Sequence, residues 1–178
     1  IGREAGGGGV ITTAANYTTA VGFQALYGLT SGARNTAVGY GSASRLTTGS
    51  DNTSLGYGAY LSQDAGHGNH LTGSHNTFIG SASGDGAYAS TTAVENMTAV
   101  GSNTLSGALE GAANGAVAVG KSALSALTSG TYNTAVGYLS QNANQTGSGL
   151  TSVGYNSLLL ATGNDNTAMG REALSSNT

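Results

Sequence analysis

The sequence predicts an all-β chain, a parallel β-roll or β-solenoid built from stacked coils of about 17 residues. Three observations carry this. The stretch Asn35-Thr36-Ala37-Val38-Gly39-Tyr40 recurs, with drift, along the whole chain. Its anchor glycines are Gly2, Gly22, Gly39, Gly56, Gly80, Gly101, Gly120, Gly137, Gly154 and Gly170, spaced by 20, 17, 17, 24, 21, 19, 17, 17 and 16 residues. The residue before each anchor is always apolar: Ile1, Val21, Val38, Leu55, Ile79, Val100, Val119, Val136, Val153 and Met169. A period sustained over the chain marks a stacked repeat and outranks local propensity.

The first element of each repeat is a short strand. Two residues before the apolar position stands Thr19, Thr36, Thr53, Thr77, Thr98, Val117, Thr134, Thr151 or Thr167. Side chains alternate along a strand, so the Thr row and the apolar row share one face. The other face carries Ala20, Ala37, Ser54, Phe78, Ala99, Ala118, Ala135, Ser152 and Ala168, small in every case but Phe78. The expectation is that the Thr and apolar rows turn inward and the small row outward.

The second element is a corner at the anchor, where a strand of β-branched residues runs into glycine. Three residues further on is a small residue (Ala25, Ser42, Ala59, Ala123, Ala173), then often a leucine (Leu26, Leu105, Leu124, Leu158, Leu174). The third element is a second corner. Gly32, Gly49, Gly73, Gly130, Gly147 and Gly163 each follow Ser or Thr, and five of them open a Gly-x-x-Asn run, as in Gly49-Ser50-Asp51-Asn52. Glycine and asparagine tolerate positive φ, so these two residues are expected to turn the chain there.

Residues 1–178 read as one elongated repeat domain cut from a longer chain. Gly6-Gly7-Gly8-Gly9 reads as a flexible loop or a hinge between stacked segments. Residues 17–57 are the most regular part. Insertions fall at 58–75 and 81–96, residues 97–120 drift, and 121–178 return to the pattern. Insertions on one side of a solenoid are where binding surfaces are built. They hold the candidate receptor contacts Asp64, His67, Asn69, His70, Asp85 and Tyr88. The three histidines His67, His70 and His75 are weak candidates for a metal; a polar surface loop is the simpler reading, since only Asp64 accompanies them. Asp85 stands alone in Gly84-Asp85-Gly86, too few carboxylates for a calcium loop.

Composition excludes several functions. Charged residues are 7% of the chain, against about 25% in ordinary proteins. The five basic residues, Arg3, Arg34, Arg45, Lys121 and Arg171, do not cluster, so a nucleic-acid groove is not expected. No run approaches the length of a membrane span. There is no cysteine, hence no disulfide framework or thiolate site. No catalytic set stands apart from the repeat, so neither an enzyme nor a cofactor is expected. A coil this thin offers few apolar side chains against the cost of ordering its backbone, which predicts a homo-oligomer sharing its core between chains.

At Ala116-Val117-Ala118-Val119-Gly120 the repeat resembles the head repeat of trimeric autotransporter adhesins. The commoner Asn-Thr-Ala-Val-Gly-Tyr form is similar to repeats of bacteriophage tail fibres. The resemblance spans nearly the whole chain. It implies a homotrimer of left-handed parallel β-rolls used for attachment, extracellular, on a virion tail fibre or a bacterial surface, with a cell-surface receptor that could be a glycan. Coils here are longer and more variable than that family's head repeat.

Two further readings compete. An ice-binding solenoid would present a flat outward Thr column. Inward threonines, Val117 within their row, and Asn (Asn35, Asn52, Asn76, Asn133, Asn166) at the preceding position speak against it. A left-handed β-helix acyltransferase needs three aliphatic positions per coil, and only one is strict here. The aromatic row Phe23, Tyr40, Tyr57, Tyr138, Tyr155 is expected to cover the coil edge or pack between chains rather than stack on sugars.

Overall fold

A computed structural model describes residues 2–7, 15–61, 71–86, 93–109 and 113–177. Among the described residues nine three-residue strands stack in one sheet: β1 (Thr19–Val21), β2 (Thr36–Val38), β3 (Thr53–Leu55), β4 (Thr77–Ile79), β5 (Thr98–Val100), β6 (Val117–Val119), β7 (Thr134–Val136), β8 (Thr151–Val153) and β9 (Thr167–Met169). They lie in chain order, each parallel to the next. Register is unbroken, so Thr36 faces Thr53 and Val38 faces Leu55 even where an insertion follows, as at Thr53 opposite Thr77. The fold is a parallel β-solenoid with the coil spacing read from the anchors. A three-residue strand has no stability alone; it persists because the coils on either side satisfy its backbone groups.

The facing of the strands is the reverse of the expectation. Ala37, Ser54, Phe78, Ala99, Ala118, Ala135 and Ser152 are buried, whereas the Thr and Val/Ile/Leu rows point outward. The reason is volume. The turn-rich stretch after each anchor sends two columns of side chains into the coil. One holds Leu26, Ala43, Tyr60, Leu105, Leu124 and Leu158; the other holds Leu29, Leu46, Leu71 and Leu127, all fully buried. Those leucines fill a narrow section, and only Ala or Ser fits opposite them. Phe78 fits because Gly84 faces it: a Cβ on Gly84 would lie 2.4 Å from the Phe78 ring. Tyr60 stacks on that ring at 4.6 Å. Polar side chains at the same inward sites bond one another. Ser42 Oγ donates to the Ser54 carbonyl (2.9 Å), and Gln141 Nε2 donates to the Thr134 carbonyl and Ser152 Oγ (both 2.9 Å).

The asparagines before the strands are also inward, not outward as the alternation of the expectation implied. Asn35, Asn52, Asn76 and Asn133 are buried. Each bonds the coil above. Asn52 Oδ1 accepts the Asn76 backbone N–H (3.0 Å), and its Nδ2 donates to the Gly73 carbonyl (2.9 Å). Asn133 does the same for Leu150 N–H (2.9 Å) and the Gly147 carbonyl (2.7 Å). A corner leaves one N–H and one C=O without a ladder partner, and one amide side chain satisfies both. Where Met97 replaces Asn, its Sδ accepts the Ala116 N–H at 3.4 Å.

The second corner also turns at a different residue. Positive φ falls on the residue before the asparagine: Arg34 (56°), Asp51 (60°), His75 (62°), Tyr132 (57°) and Asp165 (56°). The preceding glycines are required by close stacking instead, since a Cβ on Gly49 would lie 2.0 Å from the Gly73 carbonyl oxygen. At the anchors both causes act together. Gly39 has φ +135°, and a Cβ there would meet the Gly56 oxygen at 2.2 Å.

Two predictions separate these devices. Gly39→Ala should cost about 3 kcal/mol or more, because strain and a backbone clash combine. Gly58→Ala also has positive φ, but its Cβ would meet nothing closer than 3.6 Å, so it should cost about 1 kcal/mol. Equal losses in urea unfolding would refute the stacking role. Asn52→Ala strands the Asn76 N–H and the Gly73 carbonyl and should cost about 2–3 kcal/mol.

Candidate functional site

The stacked register converts one outward residue per coil into a column. The outward side of the sheet carries two. The first is Thr19, Thr36, Thr53, Thr77, Thr98, Val117, Thr134, Thr151, Thr167; the second is Val21, Val38, Leu55, Ile79, Val100, Val119, Val136, Val153, Met169. Eight spacings of about 4.8 Å make the face about 38 Å long. Val21 is 40% exposed, Leu55 44% and Met169 77%; the aliphatic residues between are half-buried. No charged residue stands in either column.

A third column follows the anchors: Phe23, Tyr40, Tyr57, Ser81, Ser102, Lys121, Tyr138, Tyr155, Arg171. Register stacks its rings. Phe23 and Tyr40 lie 5.1 Å apart between centroids, Tyr40 and Tyr57 5.2 Å, and Tyr138 and Tyr155 5.7 Å. The Arg171 guanidinium sits 5.6 Å over the Tyr155 ring. The phenols of Tyr40, Tyr57, Tyr138 and Tyr155 are exposed. Tyr60 is the opposite case: burial pushes its phenol far above the ordinary value, and the hydroxyl accepts a bond from Asn76 Nδ2.

The second-corner column holds a charge cluster. Arg34 Nε and its Nη2 donate to the two Asp51 carboxylate oxygens at 2.6 and 2.7 Å, and His75 Nε2 lies 3.8 Å from Asp51. The bond from Arg34 holds the Asp51 carboxyl below the usual range, with a smaller contribution from His75.

Of the expected contact residues, Asp64, His67, Asn69, His70 and Tyr88 lie outside the described residues. Asp85 is half-buried beside Gly58. His75 is placed on the corner column and belongs to the coil, not to a loop. The insertions are also narrower than 58–75 and 81–96. Ala59 and Tyr60 occupy regular core sites, Leu71 bridges to Leu46, and Val94 takes the corner place above Gly73. Among the described residues no group of three or more His, Cys, Asp or Glu is placed to hold a metal, and no helix is long and apolar enough to cross a membrane. No family model, curated protein or solved structure matches the chain.

Asp51 gives a pH prediction. Its folded pKa is lowered, so its contribution is present above the ordinary carboxylate range and fades as pH falls through the folded value. Wild type should melt slightly above Asp51→Asn at neutral pH, and the gap should close in acid. The pair is at the surface, so the gap is small. A gap that widens in acid would contradict the assignment.

Proposed function

We propose that this chain is a structural and adhesive segment of a homotrimeric fibre, of the kind found in phage tail fibres or bacterial surface adhesins. It would form a rigid rod that carries receptor-contact loops outside the cell. One observation carries the reading: a parallel sheet turns an uncharged column of nine aliphatic residues outward. Parallel sheets are normally covered on both faces. Identical copies suit this face as the cover. They share its coil spacing, so side chains can interdigitate along its length, and with no charge in the columns no like charges are opposed. The shared core thus lies at the Thr and aliphatic rows and not at the small row. Three copies, rather than two, follow from the resemblance to trimeric adhesin heads. Attachment then uses avidity, in which weak single contacts multiply along and around the rod.

A second reading has a specific observation in its favour. The Thr column faces outward, as an ice-binding surface requires. Against it, a lattice-matched surface needs side chains of equal reach. The aliphatic column mixes Val, Leu, Ile and Met, and Val117 interrupts the threonines. A packed interface accommodates both departures.

Sedimentation velocity across concentration separates the two readings. The fibre reading expects an assembled species that Val119→Lys converts to a folded monomer. A wild-type monomer at every concentration, with thermal hysteresis in ice-growth assays, would replace it with ice binding.

A further inference from the structure

The chain has nine tyrosines, one lysine and no cysteine. Disulfide stapling of the coils is therefore closed to it, and phenol chemistry is the abundant resource. Four of the tyrosines stand as two ring pairs, one stacked and one tilted, each joining successive coils: Tyr40 with Tyr57, and Tyr138 with Tyr155. The first pair is nearly parallel, at 12°, and 52% and 65% exposed; the second is tilted at 35°, and 45% and 40% exposed. Exposed side chains change rotamer on the picosecond-to-nanosecond scale, so the rings of each pair sample edge-to-edge approach.

We propose that Tyr40–Tyr57 and Tyr138–Tyr155 are sites of oxidative phenol coupling that staple neighbouring coils covalently. The co-reactant is hydrogen peroxide acting through a haem peroxidase. Each phenol loses one electron and its O–H proton to give a phenoxyl radical. The two radicals join through a carbon–carbon bond between ring positions ortho to oxygen. The two hydrogens on the joined carbons move to the oxygens and restore both phenols. One peroxide takes up the two electrons and two protons and leaves as two waters. Proximity selects the pair, because the partner radical is held at one coil's distance. The pairs lie within one chain, so this inference does not rest on the fibre reading.

The same column contains its own control. Phe23 stacks on Tyr40 at 5.1 Å but has no phenol to oxidise. Tyr17 and Tyr132 are 86% and 73% exposed, with no ring stacked on them among the described residues. The experiment treats the folded chain with a haem peroxidase and hydrogen peroxide, then maps cross-linked peptides by mass spectrometry. Tyr40–Tyr57 and Tyr138–Tyr155 should be the main products, within single chains, with blue dityrosine fluorescence and a raised melting temperature. Tyr57→Phe should abolish the first product and keep the second, which also reports that the variant is folded. Coupling mainly at Tyr17 or Tyr132, mainly between chains, or absent from both pairs would overturn the proposal.

Discussion

The structure depends on close contact between successive coils at the anchor glycines. At Gly22, Gly39, Gly56, Gly137 and Gly154 a Cβ would sit 2.2–2.5 Å from the next anchor's carbonyl oxygen. The same residues take positive φ, so the turn and the contact have one cause. Once that contact is set, every other position is carried into register with its counterpart. The parallel ladder, the asparagine amides and the stacked rings are consequences of that register. It also sustains local cost. Leu26, Leu105, Leu124 and Leu158 adopt left-handed backbone angles, at about 1 kcal/mol each. They are held there by bonds to the neighbouring coil, as from Leu26 N–H to the Ser42 carbonyl and from Leu124 N–H to the Ser140 carbonyl.

The period, the strands, their parallel stacking and the anchor corner were legible in the sequence, because each repeats at one position. The inside and outside of the strand were not. Alternation defines two faces, and β-branched residues suit a packed or a solvent face equally well. The decision came from the leucines of the turn stretch, which fill the interior and leave room only for Ala and Ser. The asparagine row is visible as a row, but its side hangs on the same decision. The second corner was misplaced by one or two residues for a related reason. Glycine there answers to a neighbouring carbonyl, while Arg34, Asp51 and His75 take the strained angle.

The reversal changes what the candidate site is. With the Thr and aliphatic rows turned inward, the strand itself would have filled the coil and left the small row as the outer face. Instead each coil has an interior of Leu, Ala and Asn, and the outward Thr and aliphatic columns form a long, uncharged second face. On the proposed reading, identical copies cover that face. The loops that would meet a receptor lie mostly outside the described residues, so their chemistry rests on Asp64, His67, Asn69, His70 and Tyr88 as sequence positions. Asp85 and His75 are tied into or beside the coils.

Coverage of the outward face is tested most directly by thiol reactivity, since the chain has no cysteine of its own. One variant places a cysteine at Val119, in the aliphatic column; another places it at the exposed corner residue Tyr132. A face buried between copies predicts that labelling of Val119→Cys slows as protein concentration rises, while labelling of Tyr132→Cys does not. Labelling of Val119→Cys as fast as that of Tyr132→Cys at every concentration would contradict it.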